Sequence, residues 1–276
     1  MAFIPGTKIE LVRDKIPRGG IRCVVFDFDG TLSLVRGGWM EIMISMSIDA
    51  IRSASRTSES ERDLRVVVRN FVERLNGKPT IHQMHALADE VKKRGGKPSS
   101  DEAYKRQYHK ILYEKIEERL AEIAKSKDAQ EKYLVPGARA TLELIKKKKI
   151  PLHLASGTEE SGVKRECEAL GILEFFQTVN AAPDAGGQFS KQEVFERLVR
   201  EQGIQPSELL SFGDGFVETT VVRALGGIAV GMATDEERKV PVCPQKKKLL
   251  TKAGADLIAG DYKESKRLLE YLFKEE

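Results

Sequence analysis

Two carboxylates stand two residues apart in the stretch Cys23-Val24-Val25-Phe26-Asp27-Phe28-Asp29-Gly30-Thr31-Leu32. Alternate residues of an extended chain share a face, so Asp27 and Asp29 project to one side if the strand geometry persists. Carboxylates that close repel each other, and a counter-ion or a shared proton is required. A hard divalent cation such as Mg²⁺ meets that need. Two further segments end in small polar or acidic residues, Ser156-Gly157-Thr158 and Gly213-Asp214-Gly215, and Lys191 stands between them. Together these supply a carboxylate nucleophile, hydroxyl and backbone donors, a cation, and further carboxylates for a metal. That inventory suits phosphoryl transfer, in which positioning and charge neutralisation do most of the catalysis.

The elements that must position these residues follow from the hydrophobic pattern. Ile21 to Phe26, broken only by Arg22, reads as a buried strand running into Asp27. After Leu34 the pattern turns helical. Trp39, Met43, Met46 and Ala50 share one face, with Glu41, Ser45 and Asp49 as a polar stripe. Further helices are expected over about residues 59–75, ended by Gly77-Lys78-Pro79, over 81–93, closed by Gly95-Gly96, and from an N-cap in Pro98-Ser99-Ser100-Asp101 towards Ser126. From Val135-Pro136-Gly137 strands and helices alternate. A helix over 138–148 leads to a strand over 150–155 that ends in Ser156. A helix over 160–170 follows, then a strand over 175–180. A loop with Gly186-Gly187 precedes a helix opened by Ser190-Lys191, and strands follow over 209–212, 228–230 and 255–258. Such alternation means βαβ units and a parallel sheet, and in open α/β sheets ligands bind at the carboxyl ends of the strands. The expected architecture is α/β: a Rossmann-like parallel sheet core over residues 1–34 and 134–276, with an inserted α-helical cap over 35–133. Residues 1–20 either add a short edge strand or wrap the core.

Composition excludes several classes. Lys and Arg number 46 against 42 Asp and Glu, a net charge of +4 in 276 residues. This weak excess gives no sign of a nucleic-acid partner, and the runs Lys146 to Lys149 and Lys246 to Lys248 read as solvated helix ends or loops. Three scattered cysteines, Cys23, Cys167 and Cys243, form no disulfide or zinc pattern. No stretch has the length of a membrane-spanning helix and no signal peptide is visible, so the expectation is a cytoplasmic protein without a membrane partner.

The motifs resemble those of the haloacid dehalogenase superfamily, in its phosphatase branch with an inserted helical cap, similar to phosphoglycolate phosphatase and β-phosphoglucomutase. Asp27-Phe28-Asp29-Gly30-Thr31-Leu32, Ser156, Lys191 and Gly213-Asp214-Gly215-Phe216-Val217-Glu218 carry the resemblance in the family's order, and Lys191 precedes Asp214 by 23 positions. The resemblance implies that Asp27 is the nucleophile, that Asp29 is the general acid and then the base, and that Lys191 neutralises charge on both the nucleophile and the phosphoryl group. It implies a phosphate site of Thr31, Ser156, the Gly157 N–H and Lys191. It implies Mg²⁺ held by Asp27, the Asp29 carbonyl and Asp214, with Glu218 bound directly or through water. The implied activity is Mg²⁺-dependent hydrolysis of a small phosphorylated metabolite, a sugar phosphate or a phosphoglycolate-like molecule, through an aspartyl-phosphate. The alternatives are a sugar phosphomutase of the β-phosphoglucomutase type and a non-catalytic binding protein on the same fold. Two departures stand out. The family often has Asp at position 218, and many relatives have Asn after the serine where this chain has Gly157-Thr158; Thr158 is the candidate to replace that hydrogen bond.

Taken singly, each motif has an ordinary reading. Asp27 and Asp29 can cap a turn, Ser156 can open a helix, Glu218 is a first-turn acid, and Lys164 rivals Lys191. The joint pattern carries the functional reading. In the insert, Trp39 and Arg36 are candidates for substrate contact. His82 and His85, with Asp89, read as surface histidines rather than a metal site. Substrate identity and oligomeric state are not readable from the chain.

Overall fold

In the computed structural model, which describes residues 2–75, 80–185, 188–237 and 239–274, the elements run in the order β1 (Ala2–Phe3), β2 (Glu10–Leu11), β3 (Cys23–Phe26), α1 (Trp39–Ala54), α2 (Glu61–Arg74), α3 (Thr80–Lys93), α4 (Asp101–Ile123), α5 (Lys127–Lys132), α6 (Ala138–Lys147), β4 (Leu152–Glu159), α7 (Glu160–Ala169), β5 (Thr178–Ala182), α8 (Lys191–Glu201), β6 (Leu209–Gly213), α9 (Phe216–Leu225), β7 (Ile228–Met232), α10 (Pro244–Ala253), β8 (Leu257–Ala259) and α11 (Ser265–Phe273). Gly77-Lys78-Pro79 and Gly186-Gly187, read above as a helix end and a loop, lie outside the described residues.

The strands form one sheet in the order β1-β2-β8-β7-β6-β3-β4-β5. The pairs from β8 to β5 are parallel, whereas β1 and β2 join the β8 edge antiparallel. Of the two options left open for residues 1–20, the edge strand is therefore realised, and the sheet is mixed. The lead-in is also pinned by Arg13, whose guanidinium lies 3.0 Å from the buried Asp256 carboxylate. Central β3 is fully buried along Cys23–Phe26, as a strand covered on both faces must be. Phe26 stacks on Phe212 of β6 with ring centroids 4.7 Å apart, and Tyr262 leans on both rings. These rings form the apolar floor directly behind Asp27.

The chain divides into two compact units, residues 1–37 with 120–276 and residues 38–119. Residues 120–133, assigned by the sequence pattern to the helical insert, group with the first unit. Their position follows from local pairing: the Leu34 N–H donates to the Tyr133 carbonyl at 2.8 Å and the Val135 N–H to the Leu32 carbonyl at 2.9 Å. The outgoing and returning chains are thus tied together beside β3.

In the second unit α1, α2 and α3 pack on one another through Met43, Ile44, Ile51, Leu64, Val68 and Leu87, all buried. Ser45 and Asp49 face outward, as the polar stripe on α1 requires. On its surface Arg65 and Arg69 grip Glu41 at 2.6 and 2.7 Å. His82 and His85 are exposed; the His85 ring pairs with Asp101 at 3.0 Å, and these histidines join no three-residue metal cluster among the described residues.

Candidate active site

The parallel register decides which residues meet. Val25 and Phe26 of β3 lie level with His153 and Leu154 on β4 and with Ser211 and Phe212 on β6. Asp27, Ser156 and Asp214, which follow in those chains, therefore emerge at one edge of the sheet. The turn after Asp27 is closed by the Leu32 N–H, which donates to the Phe28 carbonyl at 2.8 Å. Gly30 adopts φ +70°, and a Cβ there would come within 2.3 Å of Asp214 Oδ2. Glycine at position 30 is what lets the β3 and β6 exits approach this closely.

β4 runs further than the sequence pattern implied, through Ser156 to Glu159 rather than stopping at Ala155. Pairing with β5 continues across a register irregularity between Ser156 and Glu159. This prolongation brings Thr158 over the β3 exit, where its hydroxyl donates to Asp29 Oδ2 at 2.8 Å. Ser156 is buried, with its Oγ accepting from the Thr158 N–H at 3.1 Å, and Gly157 is exposed beside it.

Lys191 is the first residue of α8, capped by Ser190, whose side chain accepts from the Glu193 N–H. Its ammonium lies 2.6 Å from Asp27 Oδ1 and 3.2 Å from Glu218 Oε2. Lys164, the rival, pairs instead with Glu160 on the exposed side of α7. Thr31 is buried, and its hydroxyl stands 3.5 Å from Asp27 Oδ2. Glu218 sits in the first turn of α9 and divides its oxygens: Oε1 accepts the Gly215 N–H at 2.6 Å while Oε2 faces Lys191. Both readings of Glu218, first-turn acid and member of the acidic cluster, describe the same side chain. Asp27, Asp214 and Glu218 each offer one carboxylate oxygen within 4.8 Å of the others.

The donor set fits a hard divalent cation. Three carboxylate oxygens this close together are the hard oxygen ligands such a cation takes. The Asp29 side chain is not among the three; the expectation for that residue concerned its backbone carbonyl.

Burial dominates the electrostatics. It pushes the Asp27 carboxyl well above the ordinary aspartate range, against the pull of Lys191 and with added repulsion from Glu218 and Asp214. Asp214 is raised by burial in the same way, although Lys246 opposes the shift. Glu218 is lowered on balance: burial raises it, but Lys191 and backbone N–H groups outweigh the burial. Burial also acts against the Lys191 ammonium, yet the carboxylates of Asp27 and Glu218 prevail and hold its pKa above that of an ordinary lysine. Asp29 is raised, by burial above all, with Arg36 and Thr158 pulling the other way.

Two parts of the site escaped the sequence pattern. Lys246, read there as part of a solvated lysine run, reaches Asp214 Oδ2 at 2.6 Å and Glu236 Oε1 at 2.9 Å. Its neighbour Lys247 pairs with Glu10. A signal for Lys246 existed in its placement. It lies in the first turn of α10, just after Pro244, where the helix dipole repels a cation unless acids compensate. Lys191 occupies the same unfavourable position on α8. The second part is the pairing of Arg36 with buried Glu166 of α7 at 2.8 Å, with Arg36 Nε also 3.8 Å from Asp29 Oδ1. Arg36, a candidate for substrate contact, turns its guanidinium to these two carboxylates.

A model of the haloacid dehalogenase-like hydrolase family matches residues 21–226. The chain belongs to this family. Solved structures agree on the fold of these hydrolases. A predicted phosphoglycolate phosphatase from Haemophilus somnus 129PT is 18% identical, with a TM-score of 0.59 over 90% of this chain and 98% of its own. A HAD family hydrolase from Deinococcus radiodurans R1, solved with bound phosphate and sodium, is 16% identical, with a TM-score of 0.60 over 92% of this chain and 97% of its own. A β-phosphoglucomutase from Clostridium difficile is 16% identical, with a TM-score of 0.51 over 84% and 98%. No curated protein matches by sequence. Among the described residues of this hydrolase, no helix is long and apolar enough to cross a membrane.

Proposed function

We propose that the protein is a Mg²⁺-dependent phosphomonoesterase acting on a small phosphorylated metabolite. The observation that carries this reading is the Lys191 ammonium, 2.6 Å from Asp27 Oδ1 at the edge where Asp214 and Glu218 converge. A buried carboxylate held by a buried cation is a preorganised nucleophile in a site of low dielectric.

Asp27 attacks phosphorus, and its oxygen forms a bond as the bond to the leaving oxygen breaks. The leaving oxygen keeps that electron pair and takes the proton of Asp29. Asp29, now a carboxylate, then takes a proton from the water that attacks the aspartyl-phosphate, and the Asp27–phosphorus bond breaks. Lys191 holds the nucleophile's orientation and offsets charge on the phosphoryl oxygens. Thr31, Ser156 and the Gly157 N–H supply donors to those oxygens. Asp27, Asp214, Glu218 and the Asp29 carbonyl would hold Mg²⁺, which supplies charge neutralisation for the transferring group.

The test is phosphate release by the purified protein with Mg²⁺, from p-nitrophenyl phosphate and a panel of sugar phosphates and phosphoglycolate. Turnover is expected, with Asp27→Asn losing on the order of 10⁴-fold in kcat. The phosphatase reading fails if the wild type releases phosphate from nothing in the panel, or if Asp27→Asn stays fully active. Conversion of a sugar phosphate to its isomer without phosphate release would assign a mutase.

A further inference from the structure

The acid/base residue of the proposed reaction has three neighbours with no role so far. Asp29 is held between two unlike groups. On one side the Thr158 hydroxyl donates to Oδ2 at 2.8 Å. On the other, Arg36 Nε stands 3.8 Å from Oδ1, too far for a hydrogen bond. Glu166 lies closer to Arg36. The Glu166 carboxylate is 1% exposed and draws Arg36 to itself through Nε at 3.0 Å and Nη2 at 2.8 Å. Space for the guanidinium is provided by Gly162 on α7, where a Cβ would approach Arg36 Nη2 to 3.1 Å.

The two oxygens of Asp29 are consequently inequivalent. Oδ1 is out of solvent and accepts no hydrogen bond among the described residues, while the side chain as a whole keeps one-third of its surface exposed. The oxygen able to meet a substrate is therefore Oδ2, the one Thr158 touches. A hydroxyl is suited to that place because it donates to an ionised carboxylate and accepts from a protonated one, by rotation alone. An acid that must become a base within one turnover needs a partner that fits both states. Arginine cannot serve, because it only donates and would hold a carboxyl in one fixed fork. Without Glu166, the Asp29 carboxylate stays within reach of the Arg36 guanidinium.

We infer that Thr158 and the Glu166–Arg36 pair are positioning residues for Asp29: Thr158 holds Oδ2 towards the leaving oxygen, and Glu166 draws Arg36 away from that carboxyl. The inference rests on the phosphatase reading for its chemistry, and on the geometry of four side chains for its structure.

The effect is read from leaving-group dependence. A general acid matters little for a leaving group as good as p-nitrophenolate and much more for phenolate, and kcat/KM reports the phosphorylation half-reaction in which that acid works. For Thr158→Val, an isosteric change at a half-buried site, kcat/KM with phenyl phosphate is expected to fall about tenfold further than with p-nitrophenyl phosphate. Thr158→Ser restores the wild-type ratio. Glu166→Gln shifts the ratio in the same direction as Thr158→Val, and if that variant does not fold, Thr158→Val decides alone. Equal losses on both substrates, or none, overturn the inference, because a purely structural role lowers both alike. A wild type inactive on both esters overturns the phosphatase reading instead. In that event a crystal structure of Thr158→Val settles the positioning, which is refuted by an Asp29 carboxyl unmoved from its wild-type orientation.

Discussion

Asp27 and Asp29 leave the same strand and share burial as the main force on their carboxyl groups, yet their surroundings are built on opposite plans. Around Asp27 charge answers charge: Lys191 at 2.6 Å on one oxygen, Glu218 and Asp214 close by, and Lys246 closing the far side of Asp214. Around Asp29 the contact is a neutral hydroxyl, and the nearest guanidinium is held off by Glu166. The first environment fixes an anion and its counter-ions in place. The second leaves a carboxyl free to gain and lose a proton. A nucleophile and an acid/base two residues apart need this divergence, because identical surroundings would give them one shared behaviour.

The comparison is easiest to break at Lys191. Lys191→Met leaves the shape of the stem and removes the ammonium from between Asp27 and Glu218. Loss of a preorganised cation from such a site is expected to lower kcat by about 10²–10³-fold on p-nitrophenyl phosphate and phenyl phosphate alike. That uniform loss would contrast with the leaving-group-dependent loss at Thr158. A Lys191→Met enzyme that discriminates between the two esters more strongly than the wild type would show that the two environments are not separate.

How far the sequence reveals this division depends on which contacts are local. The β3 exit, the helices opened by Lys191 and Glu218, and the alternation of strands and helices are written in short-range periodicity and in capping residues such as Ser190. Parallel pairing then brings the strand ends to one edge with no further information. The acid side is less legible. Thr158 reaches Asp29 only because β4 runs past Ser156 through an irregular register, and a strand's end is poorly marked in periodicity. Arg36 and Glu166 are 130 positions apart, and neither lies in a motif. Lys246 was hidden in a run of like residues, where only its place in the first turn of α10 distinguishes it. Residues 120–133 carry helical periodicity like the insert before them. Their assignment turns instead on backbone pairing of Leu34 with Tyr133, which leaves no trace in hydrophobic pattern.

Lys246 sharpens the metal side of the comparison. Its ammonium lies on an oxygen of Asp214, so a divalent cation at the three carboxylates meets a positive charge already in place. Two unit charges about 4 Å apart interact by roughly 1 kcal/mol in water and about 4 kcal/mol near a protein surface, and the lower figure alone is worth several-fold in affinity. Lys246→Met is therefore expected to bind Mg²⁺ about tenfold more tightly, measured calorimetrically without substrate, while Asp214→Asn binds it more weakly. Unchanged or weaker binding by Lys246→Met would mean that the lysine helps to hold the acidic cluster in its metal-ready shape rather than competing with the ion.

The smallest effect comes from a buried titratable group outside the site, where burial acts with no charged partner in contact. His153 of β4 is fully buried; Nδ1 meets the Thr178 hydroxyl at 2.8 Å, and Nε2 has no hydrogen-bond partner among the described residues. Burial lowers its pKa below the ordinary 6.5, against an opposing pull from Glu201. The folded chain thus refuses a proton that the unfolded chain accepts below about pH 6.5. The stability owed to neutral His153 is complete above that pH and is lost as pH falls through the lowered value. His153→Asn should remove this component, so that its urea midpoint falls less than that of the wild type between pH 7 and pH 5. Parallel declines would mean that the ring is protonated in the fold and finds a compensating acid. In that case the pattern at Asp27, a buried charge answered by a charge in contact, would extend to the strand that carries Ser156 and Thr158.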